Sequence, residues 1–203
     1  MNIAIIGASG NVGSRILEEA LRRGHSVTAL ARNTAGIAAR AGVTAKNVDV
    51  LDSAALSAAV RGHDAVISSG RFAAFKSADV LGPLKQAGVK RLLVVGGAGS
   101  LEIAPGKALL DLPDFPAEYK PEASAGRVFL EELRNEKELD WTFISPSALF
   151  VPGERTTTFR LGKDALLTAA DGKSWISYED YAIALLDELE QPKHIRQRFT
   201  VGY

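Results

Sequence analysis

Three glycines at regular spacing are the residues whose chemistry is most readily inferred from this sequence. Gly7, Gly10 and Gly13 follow a short apolar run and open a segment with helical periodicity. Gly7 suits a tight turn, Gly10 lets a pyrophosphate approach the backbone, and Gly13 allows close packing of helix on sheet. Free N–H groups at a helix start attract an anion. The alternative is three glycines that only shape a turn. The segment predicts a dinucleotide site formed by Gly7, Ser9, Gly10, Asn11, Val12 and Gly13.

Arg32 ends the second apolar run, at the position that distinguishes the two nicotinamide dinucleotides. An acidic residue there would bind the ribose 2′-hydroxyl of NAD, whereas an arginine fits the 2′-phosphate of NADP. Positions 29–36 contain no acid, and a guanidinium can bind a phosphate through two N–H groups. We therefore expect NADP(H) to be preferred and NAD(H) to bind as well. The alternatives are a solvated arginine at position 32 and a phosphate contact from Arg15.

Further cofactor contacts follow from the rule that ligands bind beyond the carboxyl ends of parallel strands. Small or polar residues cluster at the ends of the third, fourth and fifth predicted strands, and they indicate a crevice, although each could be an ordinary turn residue. These predicted contacts are Asp49, Val50, Ser68, Ser69, Gly70, Gly96 and Gly97. Pro146, after the sixth predicted strand, could hold the backbone against the nicotinamide amide.

Strands and helices alternate in the segments that must position these residues. Apolar runs predict strands at 3–6, 27–31, 64–68, 91–95 and 141–145, with another strand within 43–50. Helical periodicity predicts helices between them, with Ser53 and Ser177 as N-caps, and a long loop covers 96–116. The pattern indicates an α/β fold in which helices cover both faces of a parallel sheet. The length of 203 residues indicates one domain.

Composition excludes several classes of function. The 24 basic and 24 acidic side chains give a net charge of zero, which removes the electrostatic attraction that nucleic acids and membrane surfaces exert. The sequence contains no cysteine, so disulfides and thiolate chemistry are excluded, and a reducing cytoplasm is expected. The three histidines have no mutual spacing that suggests a metal site. No apolar run approaches about 20 residues, so we expect neither secretion nor membrane insertion.

Eight segments together resemble the NAD(P)H-binding, NmrA-like branch of the atypical short-chain dehydrogenases, often described as NADH-flavin reductases. They are GASGNVGSR (7–15), ALARN (29–33), NVDVLD (47–52), HDAVIS (63–68), LLVVGGAGSLE (92–102), EYK (118–120), LDWTFISPSALFVPGERT (139–156) and ISYEDYAIALLDELEQPKH (176–194). The glycine turn is shared by a vast superfamily, whereas the last four segments are more specific. The resemblance implies a Rossmann-like, doubly wound sheet in residues 1–203. It also implies a small C-terminal substrate lobe, formed mostly by residues 146–175.

The chain departs from this resemblance in its candidate proton donors. Short-chain dehydrogenases that oxidise alcohols use a tyrosine and a lysine four residues apart, and the lysine lowers the pKa of the tyrosine. Lys120 falls near the lysine position, but Pro116 occupies the tyrosine position, and no YxxxK occurs in the chain. The remaining candidates for catalytic contact are Lys120, Tyr119 and Ser100, each of which could instead be a solvated loop or helix residue.

These observations support two functions of different classes. The first is a cytoplasmic NADPH-dependent reductase of a flavin, a quinone-like compound or another small conjugated acceptor, because positioning can replace much of the acid–base work in hydride transfer. The second is a dinucleotide-sensing regulator without turnover, as in the NmrA protein. The absence of the catalytic tyrosine motivates this second hypothesis. Epimerisation or dehydration of a sugar nucleotide is disfavoured without YxxxK. The expected partner is a small molecule, and the chain is expected to be a monomer or weak homodimer.

Overall fold

The computed structural model describes all 203 residues and contains five helices and twelve strands. The helices are α1 (Asn11–Arg22), α2 (Ser53–Val60), α3 (Ser77–Ala87), α4 (Lys120–Asn135) and α5 (Tyr178–Glu190). The strands are β1 (Asn2–Ile6), β2 (Ser26–Ala31), β3 (Val43–Asn47), β4 (Ala65–Ser68), β5 (Arg91–Val95), β6 (Glu102–Ala104), β7 (Lys107–Ala108), β8 (Asp140–Pro146), β9 (Leu149–Val151), β10 (Arg160–Gly162), β11 (Trp175–Ser177) and β12 (Gln197–Gly202). Short 3₁₀ turns lie at 72–74, 109–111 and 117–119.

Eight strands form one sheet in the order β10-β12-β8-β5-β4-β1-β2-β3. All neighbouring strands are parallel except β10, which runs antiparallel to β12 at the edge. Helices α1 and α5 pack on one face through a core that includes Ile16 and Leu185. Helices α2, α3 and α4 pack on the other face, around Leu56, Leu84 and Phe129. The predicted α/β fold with a doubly wound parallel sheet is therefore confirmed.

The strand order reverses between β1 and β4, and this reversal determines where a ligand can bind. The chain proceeds from β1 to β2 and β3 on one side, then returns to β4, β5, β8 and β12 on the other. The connections leave β1 and β4 toward opposite sides, so a crevice opens at the carboxyl ends of these two strands. The glycine segment that follows β1 lies at this crevice.

Two local predictions require correction. Ser53 is not the N-cap of α2, because the preceding Asp52 holds that position and its carboxylate accepts the N–H of Ala55 at 2.9 Å. The predicted cap at Ser177 is present, and its hydroxyl accepts the N–H of Asp180 at 3.0 Å. The predicted loop at 96–116 is not wholly irregular, since it contains the β6–β7 hairpin and a 3₁₀ turn.

The predicted C-terminal lobe is divided between two sheets. Strands β9 and β11 form a small parallel pair, whereas β10 extends the main sheet beside β12. Two buried carboxylates hold the segment between β9 and β10. Glu19 of α1 accepts two hydrogen bonds from Arg155, at 2.9 and 3.0 Å. Asp180 of α5 accepts the hydroxyl of Thr156 and the N–H of Thr157. The segment between β9 and β10 is therefore fastened to both helices of one face.

None of the five helices has both the length and the apolar composition that crossing a bilayer requires. The longest, α4, has 16 residues.

Candidate functional site

Gly7 makes a turn that no other residue could make without strain. Its φ of +78° lies in the left-handed region, and an added Cβ would lie 2.6 Å from the carbonyl oxygen of Ser69. Its N–H donates to the carbonyl of Leu30 at 2.8 Å, and its own carbonyl accepts the N–H of Gly10 at 3.0 Å. The turn is thus pinned between β2 and the segment that follows β4.

Gly10 and Gly13 have different surroundings. An added Cβ at Gly13 would lie 2.2 Å from the carbonyl oxygen of Gly7, so this glycine is required by packing within the turn. A Cβ at Gly10 would have only that same oxygen nearby, at 3.3 Å, and otherwise open space. Gly10 is the N-cap of α1, and no side chain caps the helix. The first N–H groups of α1 therefore remain available to an anion, and the turn fits a pyrophosphate.

A cavity of about 310 Å³ opens beside this turn. Its wall includes eight of the predicted cofactor residues: Gly7, Ser9, Gly10, Arg32, Asp49, Val50, Ser69 and Gly70. The apolar part of the wall includes Ile6, Leu30, Val48, Leu51, Leu56 and Phe75. The ends of β1, β2, β3 and β4 are therefore brought together around one space, whose mixed apolar and polar lining suits an adenosine group.

Seven other predicted cofactor residues are not part of this wall, and they have different positions. Asn11, Val12 and Gly13 are the first residues of α1, immediately behind the turn. Ser68 is buried within β4. Gly96, Gly97 and Pro146 lie at the ends of β5 and β8, farther along the sheet edge in the direction in which an extended dinucleotide would continue.

The two arginines considered for the phosphate differ in their contacts. Arg32 is exposed after the end of β2 and lines the cavity, and its side chain forms neither a hydrogen bond nor an ion pair within the chain. Arg15 is bound within the protein, because its Nε donates to Glu179 at 3.1 Å and its guanidinium lies 5.7 Å from the ring centre of Tyr178. Of these two arginines, only Arg32 is therefore free for a ligand in the cavity.

The acidic residue of the cavity wall is already engaged by the backbone. Asp49 follows β3, and its Oδ1 accepts the N–H of Leu51 at 3.0 Å. This hydrogen bond fixes the carboxylate at the β3 side of the cavity, where it can accept from an amino group. Asp49 follows β3, the strand beyond β2, so it does not occupy the position at the end of β2 that NAD-selective proteins give to an acid.

The structure adds a cationic residue that the sequence analysis missed. Arg71, directly after Gly70, lines the same cavity, and its side chain is 82% exposed. Its Nε lies 3.8 Å from the carboxylate of Glu122, which also accepts the N–H groups of Phe72 and Ala73 at 2.7 and 3.0 Å. Its position after β4, where Ser69 and Gly70 were already predicted to bind, was the signal that could have identified it.

The two glycines after β5 are not equivalent. An added Cβ at Gly96 would lie 2.3 Å from the ring of Phe143 and 2.7 Å from the carbonyl of Ile144, so packing against β8 requires this glycine. Gly97 has no atom within 4 Å of an added Cβ and borders open space. Pro146 is buried at the end of β8. Gly97 is therefore the residue of this group with room for a ligand beside it.

The three candidate catalytic residues do not form a cluster with one another by hydrogen bonding. Tyr119 precedes α4 with 62% of its surface exposed, and Lys120 begins the helix, also exposed. Neither side chain forms a hydrogen bond within the chain. Ser100 is half-buried in the loop after β5, and its hydroxyl oxygen accepts from Arg198 at 3.4 Å. Among the three, only Ser100 is thus held in place by another side chain.

The fully buried tyrosine of α5 is unsuited to exchange a proton. Tyr181 of α5 is completely buried, and its hydroxyl donates to the carbonyl of Ile144 at 2.7 Å. Burial raises the pKa of Tyr181 well above its usual value. No three His, Asp or Glu side chains converge in a way that could hold a metal ion.

One family model and three solved structures resemble this chain over nearly its full length. A family model described as NAD(P)H-binding matches residues 7–192. A protein of Burkholderia pseudomallei, named as a candidate exported protein, is 47% identical with a TM-score of 0.90, and each chain covers 100% of the other. A candidate epimerase of Bacteroides thetaiotaomicron is 44% identical with a TM-score of 0.93, over 100% of this chain and 96% of that chain. A candidate NADH-flavin reductase of Streptococcus pneumoniae is 38% identical with a TM-score of 0.87, over 100% of this chain and 99% of that chain.

Proposed function

Because the chain belongs to the NAD(P)H-binding family, as its motifs predicted, we propose that it is a reductase that transfers hydride from NADPH to a small conjugated acceptor. Bound NADPH would supply the hydride from its nicotinamide ring. The backbone N–H groups at the start of α1 would hold the pyrophosphate beside Gly10, and the cavity would enclose the adenosine. The chain would therefore bind and orient both reactants.

The observation that carries the NADPH preference is the unpaired guanidinium of Arg32. It lines the cavity at the end of β2, where the ribose 2′ position of the cofactor would lie, and no carboxylate neutralises it. A charged group without a protein partner loses little when it binds a phosphate, and the planar fork matches two phosphate oxygens. NAD(H) would still bind through the pyrophosphate and adenosine contacts, but without this interaction.

The absence of a positioned tyrosine–lysine pair supports a conjugated acceptor over an alcohol or ketone. Tyr119 and Lys120 are exposed and form no hydrogen bond that would tune either group. An oxidised flavin or a quinone needs only to be held face to face with the nicotinamide, because its conjugated system takes up the incoming electrons. The similarity to a candidate NADH-flavin reductase, at 38% identity over the whole chain, favours a flavin.

The test is NADPH oxidation by the purified protein with FMN, riboflavin and a soluble quinone as acceptors. We expect acceptor-dependent loss of NADPH absorbance, and faster turnover with NADPH than with NADH. The control is Gly10→Val, whose side chain would fill the space left for the pyrophosphate and should abolish turnover. Tight binding of NADP⁺ and NADPH without turnover of any acceptor would contradict the reductase and favour a sensor. Conversion of a sugar nucleotide without net NADPH consumption would favour an epimerase.

We further propose that this reductase acts in the cytoplasm as a monomer or weak homodimer. The absence of cysteine supports this location, although one similar protein is named as a candidate exported protein. Fractionation of cells that produce the chain with a C-terminal tag would test it, and recovery outside the cytoplasm would contradict it.

A further inference from the structure

A buried arginine lies close to the sheet edge, and the proposed function gives it no role. Arg198 is on β12, in register with Phe143 of β8, and its side chain is only 3% exposed. Its Nε and Nη2 donate to Oδ1 of Asp164, at 2.9 and 2.6 Å. Asp164 is half exposed and is the one carboxylate within ion-pairing distance. A guanidinium buried this deeply is stable only when its other N–H groups also have acceptors.

The remaining nitrogen of Arg198 binds two serine hydroxyls from different segments. Its Nη1 donates to Ser145 at 3.3 Å and to Ser100 at 3.4 Å. Each hydroxyl oxygen therefore acts as an acceptor, and each hydroxyl hydrogen remains to be donated. Ser145 is completely buried, whereas Ser100 is half-buried and donates to no other group of the chain. The hydroxyl hydrogen of Ser100 therefore has no acceptor within the chain, while its oxygen is held beside Arg198.

The strand order places Ser100 beyond the adenosine cavity, on the side where the nicotinamide half of the cofactor would lie. A dinucleotide that begins at Arg32 beside β2 and crosses the glycine turn after β1 would continue toward the ends of β5 and β8. Ser100 lies three residues beyond Gly97, in the loop after β5, and Ser145 directly precedes Pro146 at the end of β8. Both serines therefore belong to the segments that would surround the nicotinamide and the acceptor.

Hydride transfer to a neutral acceptor creates a negative charge that the protein must stabilise. The hydride brings two electrons and one proton, so the acceptor becomes a monoanion while the cofactor is oxidised to NADP⁺, and solvent later supplies the second proton. A hydrogen-bond donor held in advance at the developing charge stabilises it most effectively. We propose that Ser100 donates its hydroxyl hydrogen to the anionic oxygen of the acceptor, and that Arg198 is the positioning residue that orients and polarises this hydroxyl.

This inference relies on the proposed function for its reaction, so its test uses binding of a stable anion instead of turnover. The probe is 4-nitrophenol, whose phenolate mimics a conjugated oxyanion and absorbs visibly only when ionised. We expect the complex of the protein with NADP⁺ to bind the phenolate in preference to the phenol, which lowers the apparent pKa of the probe. Ser100→Ala and Arg198→Met should each weaken phenolate binding about tenfold, as expected for one lost hydrogen bond to a charge.

Two variants act as matched controls. Arg134→Met removes the other cation beside Asp164, since Nη2 of Arg134 lies 3.6 Å from Oδ1 of Asp164. This substitution leaves both serines untouched. Ser124→Ala removes an exposed hydroxyl from α4. Both should bind the phenolate like the wild type. Arg198→Lys keeps the charge but cannot bridge Asp164 and both serines, so its phenolate affinity should lie between those of the wild type and Arg198→Met. If Arg198→Met does not fold, Arg198→Lys takes its place in the test.

The outcomes separate this inference from the proposed function. Equal phenolate affinity in wild type, Ser100→Ala and the Arg198 variants would overturn the inference, even if the wild type oxidises NADPH with a flavin. Loss of phenolate binding in the variants would support it, even if no acceptor is reduced, in which case only the reductase proposal fails. Loss of phenolate binding in Ser100→Ala but not in the Arg198 variants would overturn the role of Arg198.

Discussion

The position where a Cβ of Gly13 would lie is only 2.2 Å from the carbonyl oxygen of Gly7. The first and third glycines of the turn therefore pack directly on each other, and this contact sets how closely α1 approaches the end of β1. Gly10 lies between them in sequence, yet its missing Cβ borders mainly open space. Two glycines of the motif thus serve the fold, whereas Gly10 leaves space in which a ligand could lie, and this division predicts different consequences for the same substitution.

Substitution of Gly10 and Gly13 by alanine should separate binding from folding. Gly13→Ala forces backbone atoms apart and should lower the free energy of unfolding by about 1–3 kcal/mol. Gly10→Ala should change stability little but weaken the binding of NADPH and NADH about tenfold or more, because its methyl group enters the space that a pyrophosphate needs. Urea unfolding and calorimetric titration of both variants measure the two effects. Similar stability losses in both variants would contradict the division.

The sequence pattern predicted the parts of the site that depend on local geometry. The strand–turn–helix at Gly7 and the cap at Ser177 follow from short-range rules, and both are present. The pairing of Arg71 with Glu122 was missed because the two residues are 51 positions apart in sequence and meet only once α4 packs beside the turn at 72–74. The network of Arg198 was missed for the same reason, since its partners come from three separate segments. Contacts between distant segments depend on packing, which periodicity does not encode.

Replacement of Arg32 should change cofactor selectivity. Arg32→Ala should weaken NADPH binding by about 1.5–3 kcal/mol, the scale of a charge-assisted contact to phosphate, and leave NADH nearly unchanged. Isothermal titration with the two reduced cofactors measures the difference. Arg61→Ala removes an exposed arginine outside the cavity wall and should leave both affinities unaltered. Equal losses of NADPH and NADH affinity in Arg32→Ala would show that the 2′-phosphate lies elsewhere.

The corrected cap of α2 gives a stability prediction for two adjacent residues. Asp52→Ala removes the carboxylate that accepts the N–H of Ala55 and should lower the free energy of unfolding by about 1 kcal/mol. Ser53→Ala changes the first residue of the helix, which is exposed and caps nothing, so its effect should stay within about 0.5 kcal/mol. Thermal unfolding of the two variants and the wild type measures these losses of stability. A larger loss in Ser53→Ala would restore the original assignment of the cap.

Stability should depend on pH through Glu19, which joins the lobe to α1. Burial alone would raise the pKa of Glu19, but hydrogen bonds from Arg155 and Arg23 outweigh burial and lower it. A carboxyl group whose pKa is lower in the folded state stabilises the fold above its unfolded pKa, about 4.5, and this contribution is lost as the pH falls through the folded value. Glu19→Gln should therefore lower the free energy of unfolding by about 1–3 kcal/mol at neutral pH, and the difference from wild type should shrink in acid.

Urea unfolding of wild type and Glu19→Gln at neutral and acidic pH tests this dependence. The matched control is Glu18→Gln on the same helix, because Glu18 is exposed and pairs only with Arg40 at the surface. An exposed ion pair contributes about 0–1 kcal/mol, so this variant should behave like the wild type at both pH values. A difference between wild type and Glu19→Gln that stays constant into acid would mean that the pKa of Glu19 does not change on folding. In that case hydrogen bonding and packing, and not its charge, would account for the attachment of the lobe.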